Sequence, residues 1–219
     1  MVAPTALSPA PRAKSLPPAA RMIWLIFGPP GSGKGTQARY IASEFGLTHL
    51  STGEVLRAEA AEGSDEGRQV AALMEASQLV TDPVMVRIVS ERLRRNPDED
   101  VLLDGFPRTV EQARALDELL ASEDRKVDMV VALTAPEEML IDRLLQRAQV
   151  QNRADDTREA IEERMLEYHE RTEPVLAHYR GAGVAVAEVD GVGDPGDVFS
   201  RIREAVRPVA GPDRGPVSH

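Results

Sequence analysis

Six apolar residues at 22–27, MIWLIF, run directly into a glycine-rich turn, GPPGSGKGTQ at 28–37, and then into a helical repeat. That order restricts the chain severely. A strand with no polar alternation must be buried on both faces. A strand that feeds a glycine-rich loop opening a helix is the first unit of a parallel α/β sheet. Apolar runs of the same kind lie at 47–50, 101–103, 129–133 and 184–189, which predicts a five-stranded parallel sheet. Helical segments separate them. Residues 33–45 place Ala38, Ile41, Ala42 and Phe45 on one face. Asp194-Pro195 supplies a cap and a first-turn proline, and Val198, Ile202, Ala205 and Val206 follow at helical spacing. The expected architecture is a three-layer sandwich with helices on both faces of the sheet, and there is no internal repeat.

The loop has its own chemistry. Gly28, Gly33 and Lys34 stand in register with the phosphate-loop pattern G-x-x-x-x-G-K-[ST], but the next residue is Gly35, and the hydroxyl of Thr36 comes one place late. Backbone N–H groups of such a turn and the helix N-terminus attract phosphate oxygens, and a lysine adds a point charge. Magnesium, lacking a hydroxyl beside the lysine, would need another side chain. Asp104 ends the apolar run of VLLDGFPR and stands where a Walker-B aspartate stands.

Charge narrows the ligand. The formal net charge of −10 argues against nucleic acid and anionic membrane as partners. Yet cations gather where a parallel sheet binds ligands, outside the carboxyl ends of its strands. Arg57 follows Ser51-Thr52-Gly53, a strand end and helix cap, and Arg108 follows Asp104-Gly105-Phe106-Pro107. Arg143 and Arg147 share a helical face at i, i+4, and Arg153 and Arg164 come later. Any one alone is an ordinary surface arginine. As a set around a phosphate loop they indicate an anionic substrate and phosphoryl chemistry, which needs alignment and guanidinium forks rather than a strong base. His49, His169, His178 and His219 have no catalytic or metal spacing and read as structural.

The chain has no cysteine, so disulfides and a thiolate zinc site are excluded and a reducing, cytoplasmic compartment fits. No apolar run approaches the roughly 20 residues of a membrane helix. Residues 1–21 hold five of the sixteen prolines and read as a disordered Pro/Ala-rich extension, or as sequence ahead of a true start at Met22. Arg12, Lys14 and Arg21, with no acid, give that stretch the charge of a transit peptide, a weaker alternative. Residues 208–219 read as a flexible tail, and no strong apolar surface stripe argues against a monomer.

Four segments together, GPPGSGKGTQ, HLSTGEVLR at 49–57, LLDGFPRTVEQA at 102–113 and NRADDTREAIEERMLEYHERTEPVLAHYR at 152–180, resemble the adenylate kinases of the nucleoside monophosphate kinase family, in that family's order and spacing. The resemblance spans about 22–207, and in that family GKGT is the ordinary loop. It implies a P-loop NTPase fold with a monophosphate-binding flap at about 51–80 and a short lid at about 147–155, both closing over substrate. It implies magnesium-dependent transfer from ATP to AMP giving two ADP. Gly31, Ser32, Gly33, Lys34, Gly35 and Thr36 would cradle ATP, with Arg143, Arg147 and the loop at Gly193. Arg57 and Arg108 would hold the AMP phosphate. Thr52, Gln112 and the backbone of Gln78, Leu79 and Val80 would meet its adenine, with Gly105 and Phe106 alongside. Arg153 and Arg164 would surround the transferred group, and Asp104 would hold magnesium through water. The catalytic set is then Lys34, Arg108, Arg147, Arg153 and Arg164.

Some positions depart from the family. Glu54 stands where Asp is usual, Ser77 and Thr81 replace a glycine and a proline, and Asn152 replaces a lid glycine. Asp156 either opens a capping box with Glu159 or orients an arginine. A UMP/CMP kinase is the nearest rival; in that branch the position of Thr52 is commonly Ala and that of Gln112 commonly Asn, so the resemblance favours adenine, whose edge a buried amide can meet by paired hydrogen bonds. A non-catalytic nucleotide-binding scaffold would lack a cation or Asp104, and none is lacking.

Overall fold

The computed structural model describes residues 21–61, 82–95, 97–151 and 157–210, the side chains at 57–59, 61, 149–151 and 210 excepted. The five apolar runs become strands β1 (Ile23–Phe27), β2 (Thr48–Ser51), β3 (Val101–Asp104), β4 (Met129–Thr134) and β5 (Ala185–Asp190). They form one parallel sheet in the order β2-β3-β1-β4-β5. Several strands run past their apolar residues at the carboxyl end, where Ser51 pairs with Asp104 and Thr134 with Asp190. The backbone ladder is indifferent to side-chain polarity, so hydrophobicity alone stops short of these positions.

The helices are α1 (Lys34–Phe45), α2 (Thr52–Ala61), α3 (Asp82–Arg95), α4 (Val110–Ala121), α5 (Glu137–Gln151), α6 (Arg158–Glu167), α7 (Glu173–Gly181) and α8 (Pro195–Ala210). Alternate residues of β1 serve opposite layers. Trp24 and Ile26 pack with Ala38, Ile41 and Phe45 of α1 and Val198, Ile202 and Val206 of α8. Ile23, Leu25 and Phe27 pack with Met85, Val89 and Leu93 of α3, with Leu116 and Leu120 of α4, and with Val175 and Tyr179 of α7. Ile23, Trp24 and Leu25 are wholly buried. The entry to β1 is held by two carboxylates: Met22 N–H, just before the strand, donates to Asp100 (2.7 Å) and Ile23 N–H to Asp128 (2.9 Å).

Some local expectations shift. Ala205 is exposed, because the buried stripe of α8 steps strictly by four through 198, 202 and 206. The cap of α6 is Thr157, whose hydroxyl accepts from Ala160 N–H at 3.2 Å, one place after Asp156. Asp155, Asp156 and Asn152 lie outside the described residues, as do Ser77 and Thr81. The helix at 158–181 is not continuous: a π turn, Tyr168–Thr172, joins α6 to α7. Pro174 accounts for it, since its ring lacks an N–H and clashes with the carbonyl four residues back, and a wider turn relieves both. Helix α8 reaches Ala210, past the boundary expected at 207. Most of the flap and the lid's 152–155 fall outside the described residues. No helix among those described is long and apolar enough to cross a membrane.

Burial of β3 between the layers predicts that Leu102→Ala, at a wholly buried position beside Trp24, costs about 2–5 kcal/mol. Urea unfolding followed by the fluorescence of Trp24, the chain's one tryptophan, measures it. A loss under about 1 kcal/mol would contradict a packed contact there.

Candidate active site

The sheet order sets β1 between β3 and β4, so the loops after β1 and β3 emerge side by side. After β1, the chain turns through residues 28–33 into α1. Gly31 holds φ 81°, and a Cβ there would lie 2.9 Å from Leu140 O, so only glycine fits this turn against α5. Lys34, the first residue of α1, curls back over the loop and donates to Gly28 O (2.5 Å) and Pro29 O (3.0 Å). The ammonium is thus held over the loop's own carbonyls.

Asp104 ends β3 on the α1 side of the sheet. A Cβ on Gly35 would lie 3.8 Å from its Oδ2, so the carboxylate borders the loop directly. His49 Nε2 stands 3.2 Å from the same oxygen. Spacing along the chain does not foretell this contact. Its signal lies in the pairing: Ser51 faces Asp104 across β2 and β3, which puts His49, two residues earlier, on the same sheet face.

Beyond β3 the chain passes a cis Phe106–Pro107 bond and reaches Arg108. Gly105 holds φ 87°, and a Cβ there would meet Thr52 Oγ1 at 2.7 Å. The Arg108 guanidinium donates to Gly105 O at 2.9 Å. Burial lowers its pKa, against the opposing charges of Glu167 and Asp104. The π turn reaches this loop, Thr172 Oγ1 donating to Arg108 O at 3.2 Å. Phe106, in contrast, packs its ring into the core and is 2% exposed.

Among the described residues, two cavities open on this rim. The larger, about 450 Å³, is lined by Lys34, Thr52, Asp82, Arg108, Gln112 and Arg164 among others. The smaller, about 240 Å³, lies between the loop residues Gly31, Ser32, Gly33 and Thr36 and the side chain of Arg143, with Gly193 at its edge. Arg143 donates to Gly191 O at 3.3 Å. Arg201 of α8 donates to the carbonyls of Asp190 and, at 2.5 Å, Val192, fixing the turn that carries Gly193. Arg164 Nε donates to Ala160 O at 3.1 Å. Arg147 stands near enough to Lys34 to depress its pKa.

The structure therefore gathers Lys34, Thr52, Asp104, Gly105, Arg108, Gln112, Arg143, Arg147 and Arg164 around one rim. Arg57 lies on α2 with its side chain undescribed, and Arg153, Gln78, Leu79 and Val80 lie outside the described residues. Magnesium takes hard oxygen donors and keeps most of its water, so it asks little of the protein. A single carboxylate bordering a phosphate loop fits that demand, and Gly35 leaves space beside it.

Comparison with known proteins points to one family. The family described as "Adenylate kinase" matches residues 26–184. The adenylate kinase of Stenotrophomonas maltophilia (strain R551-3) is 43% identical over 187 residues, covering 85% of this chain and all of that protein. An adenylate kinase of Thermus thermophilus is 43% identical over 182 residues, covering 83% of this chain and 95% of that protein. That of Caulobacter vibrioides (strain NA1000 / CB15N) is 40% identical over 193 residues, covering 86% and 99%.

Lys34 gives the site a pH signature. Burial, seconded by Arg108 and Arg147 and opposed by Asp104, lowers its pKa from 10.5 to about 8. Below about pH 8 the folded and unfolded chains both carry this proton, and folding bears the whole cost of crowding the charge. Between about 8 and 10.5 the folded chain releases the proton and the unfolded chain keeps it, so this residue's contribution to stability rises with pH. Unfolding free energies of wild type and Lys34→Met, measured across that window, should diverge in favour of wild type as pH rises. A constant difference would show that the lysine titrates normally.

Proposed function

The chain belongs to the adenylate kinase family, and on that premise we propose how its own residues carry out the family's reaction. The protein is a phosphotransferase that moves the terminal phosphoryl group of ATP to AMP, giving two ADP, reversibly. An oxygen of the AMP phosphate attacks the γ-phosphorus. The bond from that phosphorus to the β,γ-bridging oxygen breaks, and both products leave as ADP. The acceptor phosphate is already anionic at neutral pH, so no general base is required, and catalysis comes from alignment and from cations around the transferred group.

The observation that carries the assignment of residues is the convergence of Lys34, Arg108 and Arg164 with Asp104 on the rim left by β1 and β3. Residues 31–36 cradle the ATP phosphates, and Lys34 exchanges the carbonyls of Gly28 and Pro29 for them. Arg143 and the turn at Gly193 take the ATP nucleoside in the smaller cavity. Arg108, with Arg57, holds the AMP phosphate in the larger one, where Thr52 and Gln112 face the adenine. Arg147, Arg153 and Arg164 neutralise the moving phosphoryl. Asp104 would hold magnesium through water, and the bound metal would supply positive charge against the phosphate oxygens. His49 keeps the Asp104 carboxylate turned toward the loop.

The flap at about 51–80 and the lid at about 147–155 exclude water around the reacting groups. The cysteine-free chain works in the cytoplasm. It works as a monomer: among the described residues the exposed large hydrophobics are Tyr40 and Leu166, on different helices.

The test offers AMP, CMP, UMP and GMP separately with ATP and magnesium. ADP formation should be fastest with AMP. Lys34→Ala and Arg108→Ala should each lower kcat/KM for AMP by about 100-fold or more, the loss typical of removing one donor to developing charge. Preference for CMP or UMP would overturn the assignment of Thr52 and Gln112. Near-normal turnover by either variant would overturn that residue's role.

A further inference from the structure

Gln112 sits in the first turn of α4, 4% exposed, on the wall of the larger cavity. Both ends of its amide already have a partner, and the partners have opposite and fixed hydrogen-bond sense. Its Oε1 accepts from Arg108 N–H at 2.7 Å, and a backbone amide can only donate. Its Nε2 donates to Asp82 Oδ1 at 2.7 Å, and an ionised carboxylate can only accept. Oxygen and nitrogen of a glutamine amide are nearly the same size, so shape does not choose between its two orientations. Here the partners do. A flip would set Oε1 against the carboxylate and the NH₂ group against Arg108 N–H, replacing two hydrogen bonds by two repulsions in a poorly solvated place.

Asp82 is itself held. Its Oδ2 accepts from Thr109 Oγ1 at 3.0 Å, and that hydroxyl accepts from Gln112 N–H at 3.1 Å while capping α4. The carboxylate therefore stands fixed at the start of α3, 30 residues before the amide it orients. A second cavity group has a fixed sense too. Thr52 Oγ1 donates its one proton to Asp104 O at 3.2 Å, leaving it able only to accept from a ligand.

We propose that Asp82 is a specificity-determining residue: it locks the polarity of the Gln112 amide so that the acceptor pocket takes a 6-aminopurine and rejects a 6-oxopurine. After its two internal bonds, Gln112 has one carbonyl lone pair and one N–H left. Adenine presents a donor at its C6 substituent and an acceptor at N1, and hypoxanthine presents the reverse. A free amide matches either base by flipping. A locked amide matches one, and the other meets two unpaired or repelling groups, which is the condition under which polar sites discriminate strongly. The inference rests on the reading above that Gln112 faces the purine of the monophosphate. Asp82 acts through Gln112 and is a positioning residue.

The test compares kcat/KM for AMP and for inosine monophosphate in wild type, Asp82→Asn and Gln112→Ala, with melting temperatures alongside. Asparagine keeps the size of Asp82 but can turn either a donor or an acceptor toward the amide, so a flipped Gln112 loses one of its two repulsions, and the Arg108 N–H alone holds the orientation. The AMP-to-IMP ratio should fall by about tenfold or more in Asp82→Asn, with IMP gaining in absolute terms and the change lying in KM. A purely structural role would depress both substrates together and leave the ratio unchanged, and that result overturns the proposal. Gln112→Ala separates the two claims. If it lowers the ratio while Asp82→Asn does not, Gln112 reads the base and the lock is wrong. If it leaves the ratio intact, the base-reading assignment fails and the lock fails with it. Should Asp82→Asn not fold, Asp82→Ala removes the same carboxylate contact and is judged by the same ratio.

Discussion

Burial of β1 on both faces is the constraint from which the site follows. Ile23, Trp24 and Leu25 have no exposed surface, so β1 must lie inside the sheet with helices above and below. A parallel strand cannot return by a hairpin, and each crossover therefore leads into a helix. Placing β1 between β3 and β4 makes the loops after β1 and β3 neighbours. Lys34 and Arg108 meet because their strands do.

The balance of charge on that rim explains why an acidic protein can hold two anions. The chain as a whole carries −10, but its cations gather at this cavity. Lys34 is depressed by burial and then by Arg108 and Arg147. Arg108 is depressed by burial alone among the larger effects, and Glu167 and Asp104 offset part of it. Asp104 thus opposes the shift at both cations, and Glu167 opposes it at Arg108. Phosphate oxygens do the same work with more charge at shorter range.

How much of this can be read from residues alone depends on the range of the interaction. The strands and the loop are local patterns, and their positions hold to within a residue or so at each end. Arg108 is legible because a residue just past a strand end has few places to go. The cap of α6 at Thr157 falls one position from the expected one, since both Asp156 and Thr157 are good caps and only the backbone angle decides. The π turn has a signal in Pro174, but its purpose does not. It brings Thr172 to the Arg108 carbonyl, and nothing in sequence spacing predicts a contact across 64 residues. His49 reads as merely structural along the chain because its partner lies on another strand, and the register of β2 on β3 is a tertiary fact.

The Asp82–Gln112 contact belongs to the same class, and it shows why a motif residue is an incomplete description of specificity. Gln112 is identifiable by its place in a motif, yet an amide has two orientations of nearly equal shape, and the motif does not choose one. The choice comes from a carboxylate on α3 and a backbone amide on the loop before α4. Their geometry exists only after α3 and α4 have packed against each other through Met85, Val89, Leu116 and Leu120. The orientation of this amide is therefore as much a property of helix packing as of the residue itself. Substitutions that shift α3 relative to α4 by a fraction of an ångström loosen the lock while leaving every motif residue in place.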